Sequence, residues 1–417
     1  MSEQAITNEI CIIIGASHAG VNCAFALRKE GWQGDILMYD TDPTLPYHRP
    51  PLSKAYLTSE DDIEKNQLKS LDSYEKENIK LNLGVTVKAI NRIEKSISLN
   101  DGSNQSYSKL VIATGARPII PPIQGIDTAQ NIFPIRTAAD AVNIRNTIRE
   151  SKAKQVVVIG GGYIGLEAAA SLKKLGAEVI VLEREDRILA RVTTPEMSHF
   201  FQSLHTENGV SIFTNKEVIS IETIDGQNQV QCADGSRYAA NMIVIGVGIH
   251  VNTALAEAAG LEIKNGIRVD ATTRTNDENI YAIGDCTFHH NPHYDCYIRL
   301  ESVQNAVDQA KVAAATICGK PSIYNAIPWF WSDQFDVKLQ MVGLSNGHNK
   351  VIVRKEEGRK NCFSVWYFKD DILLAVDAVN NGKAYVLGTK FIKNKRKVDK
   401  AKLSDIAIPF KPANLVL

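Results

Sequence analysis

Two glycine-bearing turns carry the plainest chemistry in this sequence. Gly160, Gly162 and Gly165 follow the apolar run Val156-Val157-Val158-Ile159 and lead through Tyr163 and Ile164 into a helical stretch. Gly15 and Gly20 follow Ile10-Cys11-Ile12-Ile13-Ile14 in the same way, with Ser17 where the middle glycine of the second turn stands. In such a turn the first glycine permits the tight bend, the second lets backbone approach a pyrophosphate, and the third lets helix and strand pack closely. Phosphate then sits at the helix N-terminus, where unpaired N–H groups and the helix dipole favour negative charge. A carboxylate at the end of the following strand holds a ribose. After the second turn that residue is Glu183, which would repel a 2′-phosphate and so favours NADH over NADPH; Arg184 and Arg187 work against the preference. After the first turn Asp40 and Asp42 both stand in place for the role, and the sequence does not choose between them.

These residues require a strand, turn, helix and strand twice over. Continuous apolar runs of this kind read as parallel strands buried on both faces. The first unit runs through a helix from Val21 to Lys29, Gly31 and a strand from Asp35 to Tyr39. The second runs through a helix from Leu166 to Leu175, Gly176 and a strand from Glu178 to Leu182. Two such copies about 145 residues apart imply two dinucleotides face to face, most simply a flavin and a nicotinamide. Leu110 to Pro118 reads as a strand stopped by glycine and proline, and Asn279 to Cys286 as another that ends in Gly284 and Asp285. Ile243 to Gly248, between them, closes the second lobe. The expected division is therefore an interrupted flavin domain (1–115 and 247–325), an inserted nicotinamide domain (116–246) and a C-terminal domain (326–417). The last opens on Trp329-Phe330-Trp331 and continues as short alternating strands and a closing helix, a small α+β unit.

Composition sets the outer bounds. The chain has 417 residues, 47 Lys+Arg against 47 Asp+Glu, and 44% apolar residues, which is ordinary for a globular protein and gives core enough for about three domains. Zero net charge argues against a global nucleic-acid or membrane-surface binder. No apolar run approaches the ~20 residues that span a bilayer. The polar start, Met1 to Glu9, does not read as a signal peptide, so a cytoplasmic address is expected. The seven cysteines are scattered and form no CxxC, which gives no support to a zinc, iron–sulfur or local dithiol site; no metal is expected.

Five blocks carry a resemblance. They are Leu45-Pro46-Tyr47-His48-Arg49-Pro50-Pro51-Leu52-Ser53-Lys54, Gly160 to Glu167, Ile283-Gly284-Asp285-Cys286, Arg299 to Ala306, and Pro328-Trp329-Phe330-Trp331-Ser332-Asp333-Gln334. In this order they resemble the FAD-dependent NADH:ferredoxin reductases that serve oxygenases, over nearly the whole chain. The resemblance implies an α/β fold of two Rossmann-like dinucleotide-binding domains, arranged as in glutathione reductase, plus the α+β domain. It implies FAD contacts from Gly15, Ala19, Gly20, Arg49, Lys54, Val87, Ala113, Thr114, Gly115, Arg136, Asp285, Glu301, Ser302 and Val303, with Asp40 or Asp42 substituting for the acidic ribose ligand. It implies NADH contacts from Gly160, Gly162, Tyr163, Ile164, Gly165, Glu183 and Gly248. Lys54, Glu167 and Trp331 are the expected catalytic residues: a cation near the flavin edge, a carboxylate holding it and the nicotinamide amide, and an aromatic cover. His18 is expected to be a non-catalytic loop histidine.

Disulfide reductases of this fold pass electrons to cysteines, yet residues 24 to 231 contain none. Electrons must therefore leave the flavin directly, one at a time. A [2Fe–2S] ferredoxin feeding a terminal oxygenase is the expected acceptor, with rubredoxin, or an NADH-sensing role without a carrier, as the alternatives. The interval Lys383 to Lys402, with eight Lys/Arg against Asp399, is the candidate docking face for such an acidic partner.

Overall fold

The computed structural model describes residues 9–417; the first eight residues, and with them most of the polar start, lie outside the described residues. Continuous apolar runs become central parallel strands, because only a strand covered on both faces buries every side chain. The first sheet has the order Ile280–Ala282, Lys109–Ile112, Ile10–Ile14, Asp35–Asp40, Ile79–Leu83, all parallel. The second has the order Ser211–Phe213, Glu178–Leu182, Gln155–Ile159, Met242–Ile245, Ile132–Pro134, also parallel. The chain thus leaves the first sheet after Ile112, builds the second, and returns to the first at Ile280. Each glycine turn sits at the carboxyl end of its sheet's middle strand, where open α/β sheets bind ligands.

The third unit is antiparallel, in the order Trp329–Gln334, Val337–Gly343, Ile372–Val379, Phe363–Lys369, Lys350–Lys355. Its strands send alternate side chains to opposite faces, with a register shift between Tyr367 and Phe368. Val365 and Tyr367 join Leu166 and Phe201 in one core shared with the second lobe. Trp366 and Phe368 point the other way and pack under the helix Gly382–Lys393 with Leu387 and Phe391. The C-terminal unit is therefore fused to the second lobe by its inner face.

Four elements differ from the sequence reading for local reasons. Leu110 to Pro118 is not one strand: it stops at Ile112, turns at Gly115 (φ +59°), and Ala116–Pro118 then pairs antiparallel with Ile249–Val251 in a two-stranded ribbon. Asn279 to Cys286 pairs only over Ile280–Ala282, then tightens into a 3₁₀ turn at Gly284–Cys286. Both glycine-turn helices begin three residues early, at His18 and Tyr163, so the residues facing a phosphate are themselves the first helical turn. No helix among the described residues is long and apolar enough to cross a membrane, and no cluster of metal-ligating side chains occurs among them.

Candidate active site

The two turns are built alike. Gly15 (φ +108°) and Gly160 (φ +105°) adopt a backbone conformation that strongly favours glycine. A Cβ on Gly20 would collide with the carbonyl of Gly15, and one on Gly165 with that of Gly160, which is why helix and strand need glycine there. The turn amide of Ala16 donates to Asp40 Oδ2 at 2.5 Å, and that of Gly161 donates to Glu183 Oε2 at 2.6 Å. Asp42 is occupied elsewhere, receiving the Thr44 amide and the Tyr47 hydroxyl. The carboxylate brought to the first turn is thus Asp40.

Between the turns runs an elongated cleft. Ala19 and Val303 line it at the ends of the helices His18–Glu30 and Val303–Ile317, while Ala113 and Gly115 line it from the first sheet's edge. Arg49, Arg136, Asp285, Glu301 and Ser302 supply its polar wall, and Ile164 and Trp331 its apolar one. Burial pushes the Asp285 carboxyl up to about 6, with Arg136 the main opposing charge. Arg49 is clamped by the carbonyl of Arg136 and lies 5.0 Å over the Tyr47 ring. A carboxylate and two guanidiniums sharing a half-dry cleft suit a ligand that bears both sugar hydroxyls and phosphates.

At the cleft's inner end stands an ion pair. Lys54, at the junction of the turn Pro50–Ser53 and the helix Ala55–Thr58, places Nζ 2.6 Å from Glu167 Oε2 and 3.3 Å from the Pro50 carbonyl. Glu167 is only 1% exposed, one turn into the second glycine helix. Ser53 donates to the same carboxylate oxygen at 2.6 Å, and Ser332 to Oε1 at 2.6 Å. A buried carboxylate is tolerable only with such a full set of partners. Trp331 lines this end and packs 5.5 Å from Trp329.

Several anticipated residues point elsewhere. The Tyr163 hydroxyl lies 3.1 Å from Met341 Sδ and its ring packs on Phe330, toward the C-terminal sheet. Thr114 donates to the carbonyl of Asn252. Val87 begins an outer strand paired with Leu99 and is not among the residues that line the cleft. Gly248 lies near Arg191 and Ile119, at the ribbon. His18 is no loop residue: it is buried in the first helical turn, 5.4 Å from the His48 ring, and burial with His48, Arg49 and Arg136 pushes its imidazole down to about 3. Ser53, Ser332 and Phe330 were missed; they lie inside the quoted blocks, but an isolated serine carries no periodic or spacing signal. No cysteine lines the cleft, and all seven are unpaired.

Residues 10–310 match the family model described as pyridine nucleotide-disulphide oxidoreductase. The chain belongs to the pyridine nucleotide-disulphide oxidoreductase family. Residues 329–414 match a second model, described as reductase C-terminal. Within this family the chain is 41% identical over 409 residues to putidaredoxin reductase of Pseudomonas putida, covering 97% of this chain and 96% of the relative. It is 38% identical over 406 residues to the ferredoxin reductase subunit of the 5,5'-dehydrodivanillate O-demethylase of a Sphingobium species, covering 96% and 97%. Its structure is similar to that in the crystal structure of the covalent putidaredoxin reductase–putidaredoxin complex, with a TM-score of 0.92, 41% identity and 97% of each chain covered. FAD and NAD(H) are the cofactors of this oxidoreductase family, and the donor set of the cleft fits them.

Proposed function

We propose that this enzyme takes hydride from NADH and passes single electrons to a [2Fe–2S] ferredoxin that supplies an oxygenase, either a Rieske-type dioxygenase or a cytochrome P450. The observation that carries this reading is a cleft between two nucleotide turns, free of cysteine, that ends on the Lys54–Glu167 pair beside Trp331. When bound, the flavin supplies two-electron acceptance from NADH and one-electron release to a carrier. Asp285 and Asp40 receive sugar hydroxyls, while Arg49 and Arg136 neutralise phosphate. Lys54 holds positive charge at the inner end of the cleft, where negative charge develops on reduction. Glu167 keeps that ammonium in place and accepts from the nicotinamide amide. Trp331 and Ile164 exclude water from the reacting faces. Glu183, receiving the Gly161 amide, holds the NADH ribose.

The docking face we assign is the basic stretch Lys383 to Lys402. Lys400 and Lys402 are paired with Asp371 and Asp399, whereas Lys383, Lys390, Lys393, Lys395, Arg396 and Lys397 are exposed without a carboxylate partner among the described residues. The helix bearing the first three packs Tyr385 on Trp329, which in turn packs on Trp331, so the start of this helix, with Lys383, adjoins the cleft end. Unpaired exposed lysines favour encounter with an acidic protein and fast release. The unpaired cysteines support a reducing, cytoplasmic setting.

The test is steady-state turnover with NADH and a [2Fe–2S] ferredoxin, a rubredoxin, or ferricyanide. Ferredoxin is expected to be reduced faster than rubredoxin. Reversing the charge of Lys395, Arg396 and Lys397 should slow ferredoxin reduction about tenfold at low salt and leave ferricyanide turnover alone. Preference for rubredoxin would overturn the choice of acceptor.

A further inference from the structure

Behind the ion pair lies a buried polar chain that the reaction does not directly use. Ser332 Oγ, 2.6 Å from Glu167 Oε1, also lies 3.1 Å from Gln334 Nε2. Gln334 Oε1 lies 2.8 Å from His205 Nε2. Glu167 is 1% exposed, and Ser332, Gln334 and His205 are all at 0%. The chain runs from the helix Pro195–Glu207 of the second lobe, through the strand Trp329–Gln334 of the C-terminal sheet, and back to the second glycine helix of that lobe.

Elementary valence fixes its direction. A hydroxyl has one proton, an amide donates only from nitrogen, and a neutral imidazole carries one N–H. His205 Nδ1 has no hydrogen-bond partner, so a proton there would be a buried donor with nothing to receive it. On Nε2 the proton is received by Gln334 Oε1. That orients the amide so that its NH₂ faces Ser332, and the Ser332 proton is left for Glu167. The opposite arrangement turns the amide, draws the Ser332 proton onto Gln334, and leaves Glu167 Oε1 without its donor. Burial pushes the His205 imidazole down to about 4, and no charged group contributes to that shift; its ring packs edge-on to Phe335, 5.0 Å away. The charged or titratable groups near Glu167 are Lys54 and, one turn back on its own helix, Tyr163.

We propose that His205 and Gln334 are positioning residues for the Lys54–Glu167 pair: the single N–H of His205 orients Gln334, which commits the Ser332 proton to Glu167 and so fixes the carboxylate toward Lys54. This rests on the reading of that pair as the group beside the reacting rings, and the test separates the two.

In the ¹⁵N-histidine-labelled wild-type holoenzyme, NMR should show His205 as the Nε2–H tautomer; a proton on Nδ1 overturns the proposal without any variant. In stopped flow, Glu167→Gln should slow reduction by NADH strongly. Ser332→Ala, which removes a donor to the charged Glu167, and Gln334→Met, which removes the group that directs that donor, should each slow it about tenfold with the Kd for NADH unchanged. Ser332→Thr, which keeps the hydroxyl, should restore the rate to within about twofold. Normal rates in Ser332→Ala and Gln334→Met beside a slow Glu167→Gln overturn the positioning chain. A normal rate in Glu167→Gln instead removes the reading of the ion pair, while the tautomer still decides the chain's direction.

Discussion

The two glycine turns share a backbone and differ in one residue that matters. At the outer positions, Gly15 and Gly20 match Gly160 and Gly165, and in each pair a Cβ would collide with backbone carbonyls of the fold itself. The middle position is different. A Cβ on Gly162 would meet nothing closer than the Gly246 carbonyl at 3.9 Å, so the protein's own packing does not demand glycine there. Ser17 stands at that position in the first turn at no cost to the fold. The outer glycines are dictated by folding, and the middle one by how closely the ligand approaches. The lobes also differ in support: the C-terminal sheet shares one core with the second lobe and with Tyr47, Leu52, Tyr56 and Leu57 of the first, whereas the first sheet keeps a core of its own.

Four perturbations probe that contrast. The largest effect is expected from Gly20→Ala and Gly165→Ala, each costing about 3 kcal/mol by forced overpacking. Thermal unfolding and retained flavin absorbance check it: Gly20→Ala should lose flavin, and Gly165→Ala should keep it while failing to be reduced by NADH. Next is the seam between the second lobe and the C-terminal sheet. Asp377 is buried against Tyr367 and Thr193, and burial pushes its carboxyl up to about 6. A carboxyl raised in the folded state stabilises it at low pH, and that contribution is lost as pH rises through about 6. Asp377→Asn should therefore add about 2 kcal/mol of stability at pH 7.5 and nothing near pH 4, read as a pH series of denaturant midpoints.

Smaller effects separate ligand contacts from packing. Glu183→Gln should weaken NADH about tenfold and narrow the preference over NADPH, and Asp40→Asn should weaken FAD by a similar factor while Asp42→Asn does not. Titration of each nucleotide, the apoprotein being used for FAD, measures it. The least effect is expected from exchanging the middle residues. Gly162→Ser should raise KM for NADH about threefold, and Ser17→Gly should change FAD affinity by less, both with Tm unmoved. A Tm fall in Gly162→Ser would mean that the middle glycine serves the fold after all.

What the sequence made legible follows from how each feature is encoded. Apolar runs and φ-positive glycines are local, so both nucleotide units and the return of the chain to its first sheet were readable before any coordinates. The acidic ribose ligand was narrowed only to Asp40 or Asp42, because choosing needed the direction of two side chains two residues apart. Why Ser17 can stand where the second turn has Gly162 depends on the space around Gly162, which the sequence does not show. The donors behind Glu167 were invisible: Ser332 lies 165 residues from Glu167, and Gln334 lies 129 from His205. Such contacts join two folded units and leave no spacing in the chain. The single strand expected from Leu110 to Pro118 failed at Gly115, where a backbone reversal sits inside an otherwise strand-like run.

The central claim is that electrons pass from NADH through a cysteine-free cleft to a one-electron carrier. Anaerobic stopped flow tests it most directly: the oxidised holoenzyme is reduced with NADH, then mixed with two equivalents of oxidised [2Fe–2S] ferredoxin. The account predicts rapid bleaching by NADH, slower by NADPH, then reoxidation with two ferredoxins reduced per enzyme, unchanged after thiol alkylation. A reduced enzyme that persists in the presence of ferredoxin, or reoxidation abolished by alkylation, would contradict it.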